Sequence, residues 1–336
     1  IAAVVAAQHL PWLLAGLVWR HLPVPDRRTV VGLVHTARAL VVAYLGFHAA
    51  AGTETILKIQ LGALVLGAGE ALAGRVEEER EDTDRLSARG MLGVALVGMP
   101  LGGFLYELFL AVPFVANVLF FALAGLFALF VDRPVRAVDA PVAADHDRQR
   151  VPLALAVSSV ATAVAGSAVL GVLVLFALDD LGLGAPAFGL LLAGLAGATA
   201  AGGWVAPETG RALGLKLGAA LAALVAGAAL VTAARVADAE RPWAAVVALG
   251  IAWATATTGR VLLRALVPAA TTDPANLRTL HLLEWAGIVA GALAGGWFAR
   301  EQGVADVLPF AAAAYGVAAL AVAGIRRRTV NKLLDA

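Results

Sequence analysis

Eleven apolar stretches separated by short polar gaps run the length of the chain, at roughly 1–19, 30–48, 55–74, 90–110, 112–131, 151–178, 187–206, 213–234, 243–263, 279–299 and 307–325. Each comes near the ~20 residues with which an α-helix crosses a bilayer. The pattern predicts an all-α polytopic membrane protein with the lipid bilayer as its solvent.

The gaps alternate in charge. Of the 25 Lys and Arg, twenty lie in one alternate set of gaps, beginning with Arg20, Arg27 and Arg28 and ending with Arg326, Arg327, Arg328 and Lys332. The other set holds only Lys58, Arg235, Arg241 and Arg300, and Arg38 falls inside a span. Basic loops are retained on the cytoplasmic side. The Arg-rich gaps and the C-terminus are therefore expected in the cytoplasm, with the chain multi-pass in the cell inner (plasma) membrane. Ile1 then starts outside and opens directly into the first span, without the basic region or cleavage site of a signal peptide. One helix preceding Ile1 is expected, which would bring the spans to twelve.

The longest predicted cytoplasmic gap, 132–150, is rich in Asp, Arg and Pro and reads as a linker. It divides the chain into an N-terminal helical half (1–131, helices two to six of the expected twelve) and a C-terminal half (151–336, helices seven to twelve). The halves read as diverged repeats. Gly98, Gly102 and Gly103 followed by Pro113-Phe114 have a parallel in Gly291, Gly295 and Gly296 followed by Pro309-Phe310. Two halves repeated in one orientation about a cytoplasmic linker is a transporter architecture. Gly98 and Gly102 share a helix face, as do Gly287, Gly291 and Gly295, and small residues at this spacing let membrane helices pack closely.

Composition removes several function classes. Hydrophobic residues make up 61% and charged residues 15%, with mean hydropathy +0.85 and a net charge of +1. A soluble domain carries about a quarter charged residues. No basic footprint for nucleic acid is present. Cysteine is absent, which excludes disulfides, thiol catalysis and thiolate metal sites. No phosphate-binding loop, nucleophile elbow or dinucleotide fingerprint occurs, and no cofactor or metal site is expected.

Ionisable residues inside a bilayer are costly, so each is a candidate for function. Arg38 and Glu70 lie at similar depth on antiparallel neighbouring spans and are expected to form a gating or structural ion pair. His35 shares the Arg38 face. His281 and Glu284, three residues apart, form a second pair beside Arg264, Arg278 and Trp285. Glu284, the deepest clear carboxylate of the C-terminal half, is the expected proton-coupling residue, with His281 tuning it; Glu70 is the lesser candidate because Arg38 holds it ionised. Gln8, Asn117, Ser159 and Thr258 are candidates to line a central path, and Trp12, Trp253 and Trp285 to supply an apolar pocket. Trp204 and Trp243 read as interfacial anchors.

These residues also carry a resemblance. Leu10-Pro11-Trp12-Leu13-Leu14-Ala15-Gly16-Leu17 followed by Asp26-Arg27-Arg28 resembles the second helix and following loop of the major facilitator superfamily. It is most similar to the branch containing enterobactin and macrolide efflux proteins. Asp84-Arg85-Leu86, Gly98-Met99-Pro100-Leu101-Gly102-Gly103 and Arg264-Ala265-Leu266-Val267-Pro268 extend the resemblance along the chain. It implies two pseudo-symmetric six-helix bundles, with Asp26, Arg27 and Arg28 in a gating latch. Arg20 stands where the family's loop has Gly, and Val24-Pro25 where it has Asp-Arg, so half of the latch motif is lost.

The leading reading is a secondary active transporter: a proton-coupled antiporter exporting a hydrophobic or amphipathic small molecule. The alternative is a non-transporting scaffold of the same fold, partnered with another membrane protein. A membrane-embedded enzyme ranks last, because acidic and His residues occur as isolated pairs and not as a cluster at one depth.

Overall fold

The computed structural model describes residues 1–18, 27–77, 84–130, 152–270 and 274–325. Asp26, the side chains of Arg27 and Arg28, the 132–150 linker and the basic C-terminus lie outside the described residues. The first five helices are α1 (Ala2–Val18), α2 (Arg27–Ala50), α3 (Ile56–Glu77), α4 (Asp84–Leu108) and α5 (Val112–Phe130). The remaining six are α6 (Leu153–Leu175, closed by a π-turn at Phe176–Asp180), α7 (Ala185–Leu213), α8 (Leu215–Arg235), α9 (Trp243–Ala270), α10 (Pro274–Gln302) and α11 (Val307–Ala323). Among the described residues there are no strands. Seven helices are long and apolar enough to cross a membrane, and α1, α4, α5 and α11 contribute shorter apolar segments.

Several helices outrun the apolar stretches that predict them. α9 continues seven residues past 263, and α10 begins five residues before 279. The helical backbone satisfies its own hydrogen bonds on both sides of the bilayer boundary, so hydropathy marks the lipid edge and not the helix end. α7 and α8 are separated by Gly214 alone, at φ +77°. That left-handed conformation favours glycine. It ends α7 with a bond from the Gly214 N–H to the Gly210 carbonyl at 2.9 Å.

Four pairings recur when α1–α5 are laid over α7–α11. α1 packs on α3 as α7 does on α9, α2 on α3 as α8 on α9, α2 on α5 as α8 on α11, and, more lightly, α4 on α5 as α10 on α11. Among the described residues three contacts join the halves, α1 against α10, α1 against α6 and α4 against α7. α6 packs on α10 and α11. Among the described residues, no helix packs so on α4 and α5.

That difference separates the two glycine stripes. A Cβ at Gly291 would collide with Ser167 Oγ and the Val164 carbonyl, and one at Gly295 would lie 2.8 Å from Ala168 Cα. α6 and α10 therefore touch backbone to backbone, as small residues permit. A Cβ at Gly102 would meet nothing within 4 Å, and one at Gly98 only its own helix's Val94. Tight packing was expected of both stripes; among the described residues only the second shows it. The main hydrophobic core accordingly lies in α6–α11. Outward faces remain apolar, with Phe47, Trp204, Trp243 and Leu320 each at least 70% exposed. Apolar side chains facing outward suit a hydrocarbon solvent and would be a liability in water.

Candidate functional site

A cavity of about 300 Å³ opens between α1 of the first half and α6, α9 and α10 of the second. α9 contributes Trp253, Ala256, Thr257, Arg260, Leu263 and Arg264. Steps of three and four residues put all six on one helical face. α6 offers Ser159, Thr162, Gly166 and Ser167; α10 offers Glu284, Trp285 and Ile288; α1 offers Val5 and His9; α11 supplies Tyr315. At 1.5 Å per residue, Arg260 lies ~5 Å along the helix from the end of the apolar stretch at 263 and Glu284 ~8 Å from the start of the one at 279. Two cationic groups and one carboxylate thus share the half of the bundle predicted to face the cytoplasm.

Three of the six lining hydroxyls are committed. Thr257 Oγ1 donates to the Trp253 carbonyl at 2.9 Å, Thr199 Oγ1 to Leu195 at 2.9 Å and Ser167 Oγ to Ala163 at 2.8 Å. Hydroxyls in helices commonly bond their own backbone in this way. His9 Nδ1 lies 2.8 Å from the Val5 carbonyl. A carbonyl only accepts, so Nδ1 is the donor in this bond. Among the described residues Arg260, Arg264 and Glu284 make no ion pair or hydrogen bond.

Gly166 faces the Arg260 head at ordinary contact distance. A Cβ there would sit 3.6 Å from Arg260 Nη2 and 4.0 Å from the Tyr315 hydroxyl. Tyr315 itself is buried at 5% exposure. On the other side, the Trp12 and Trp285 rings stack across the α1–α10 contact, and His9 lies over Trp285 with centroids 5.9 Å apart.

The expected site residues divide. Ser159, Trp253 and Glu284 line the cavity. Gln8, Asn117 and Thr258 lie outside its lining. The Gln8 backbone carbonyl meets the space a side chain at Gly67 of α3 would need. Asn117 is exposed on α5 and its Nδ2 donates to the Pro113 carbonyl at 2.9 Å. Thr258 is buried between α9 and α7, with Oγ1 at 3.0 Å from the Gly202 carbonyl; its neighbour Thr257 faces the cavity. His281 is exposed, one turn from Glu284 and outside the lining. Arg38 Nη2 lies 3.9 Å from Glu70 Oε1, away from the cavity, with the Arg38 guanidinium 5.8 Å from the Phe121 ring centroid.

Arg260 and Tyr315 were not singled out by sequence. Arg260 counts there as a loop charge, although it falls within the apolar stretch 243–263. That inclusion was the available signal.

No family model matches the chain, and no curated protein matches it. Solved structures do. A bacterial homologue of the iron transporter ferroportin, in an inward-facing state, superposes with TM-score 0.70 at 14% identity over 96% of this chain and 89% of that one. A bacterial metal transporter gives 0.67 at 16% identity over 95% and 88%. The fucose:proton symporter of E. coli gives 0.57 at 14% identity over 96% and 88%. At these identities the likeness speaks to architecture: the chain is an all-α polytopic membrane protein with the major facilitator fold.

Proposed function

We propose that this chain is a secondary active transporter, a proton-coupled exporter of an amphipathic small molecule working by alternating access. The carrying observation is the cavity. It lies where α1 of one half meets α6, α9 and α10 of the other, and it holds Glu284, Arg260 and Arg264 within the membrane-spanning segments. Charges at that depth are retained for function, and a site between two repeated halves is where rocking changes access. Glu284 is the proton-coupling group of this reading, because it is the only carboxylate in the lining.

The purified protein in vesicles, under an imposed pH gradient, tests it with benzenesulfonate, benzenesulfonamide and benzylammonium as solutes. The reading expects gradient-driven flux of at least one, lost in Glu284→Gln with binding retained. Flux in none of the three overturns it in favour of the scaffold. Normal coupling in Glu284→Gln removes Glu284 from the role.

A further inference from the structure

We propose that the cavity selects an organic anion: a carboxylate-, sulfonate- or phosphate-type head on a small apolar or aromatic body, held by Arg260 with support from Arg264. This rests on the transporter reading only for the ligand being cargo; the anion site stands on its own geometry.

The balance of charge comes first. The lining carries two guanidiniums and one carboxylate. An empty cavity is therefore net positive. A metal cation would meet that field, and among the described residues no group of three His, Cys, Asp or Glu is placed to hold one. An anion would be drawn in.

Directional bonding points the same way. Thr199, Ser167 and Thr257 spend their hydroxyl protons on backbone carbonyls, so what they still offer to the cavity is acceptor capacity. The strong donors left over are the N–H groups of Arg260 and Arg264, which have no acceptor among the described residues. A guanidinium presents a planar fork that matches two oxygens of one oxyanion. Both arginines are exposed, so the fork is open to the cavity. An incoming oxyanion supplies the acceptors it lacks.

Space and shape complete the argument. Gly166 leaves the volume beside Arg260 Nη2 free, and the Tyr315 hydroxyl borders the same volume. Arg260 and Arg264 stand one turn apart on a face shared with Trp253 and Leu263, while Trp285 and Ile288 lie on the α10 wall. The head is thus met by cations and the body by rings and aliphatic side chains.

Calorimetric binding of the same three probes to the purified protein tests this. Benzenesulfonate should bind at least tenfold more tightly than benzenesulfonamide or benzylammonium. Arg260→Gln should weaken benzenesulfonate at least tenfold, and Arg260→Lys by less, since it keeps the charge and loses the fork. Gly166→Leu keeps both arginines but fills the space beside Arg260, and should weaken binding similarly; it covers the case in which Arg260→Gln does not fold. Equal affinity for the neutral or cationic probe, unchanged affinity in folded Arg260→Gln, or no benzenesulfonate binding at millimolar concentration overturns the anion site. Anion binding without flux in vesicles leaves the site standing and sinks the transporter. Flux of benzylammonium that survives Arg260→Gln does the reverse.

Discussion

Trp12 of α1 and Trp285 of α10 stack with ring centroids 4.7 Å apart and planes 14° from parallel, at the wall of the cavity. The pair joins α1 of the first half to α10 of the second. Aromatic pairs contribute about 0.5–1.5 kcal/mol beyond their burial. Trp12→Leu and Trp285→Leu should therefore show a coupling of that size in a double-mutant cycle of denaturant stability. Strict additivity would mean that the rings merely adjoin.

The Arg38–Glu70 pair makes a weaker claim. Its 3.9 Å separation and the 40% exposure of the Glu70 side chain argue for partial screening. The coupling energy should be about 1 kcal/mol or less, in the range of exposed pairs. Arg38→Met with Glu70→Met should lose less stability than the two single changes added together. Additive losses in melting temperature would show no interaction.

Glycine positions should sort by what faces them. Gly291→Ala drives a methyl into the Val164 backbone, which cannot rotate away. Overpacking of this kind costs about 1–3 kcal/mol. Gly194→Ala, on an exposed face of α7 with nothing within 4 Å, should be neutral or gain a few tenths of a kcal/mol from helix propensity. Comparing the two melting temperatures checks the α6–α10 contact without touching the cavity.

Orientation is testable because the chain has no cysteine. A single cysteine placed at Ala144, in the Arg-rich linker, should resist an impermeant thiol reagent in intact cells and react after permeabilisation. Labelling in intact cells would invert the predicted topology.

The architecture was legible because segmentation by hydropathy and sorting of charge both act over whole helices. Helix number follows from the first, and the glycine contacts of α10 from the spacing of Gly287, Gly291 and Gly295. The facing of individual residues was not legible. In a soluble helix, the polar side announces which face is buried. Here lipid and core are both apolar, so the sequence carries little phase information. One step along a helix turns a side chain by about 100°. That is the difference between Thr258, spent on the α7 backbone, and Thr257 in the cavity. Arg260 was missed for another reason: a helix that outruns its apolar stretch makes an internal charge look like a loop charge.

Alternating access is the core of the account, and Thr162 on the cavity wall gives its most direct test. A cysteine at Thr162 in the otherwise cysteine-free chain should react with an impermeant maleimide added from either side of the membrane, in inside-out and in right-side-out vesicles. Benzenesulfonate should slow both reactions. Reaction from one side only, under every gradient and solute condition, would mean a cavity that never changes sides, and would contradict transport by this chain.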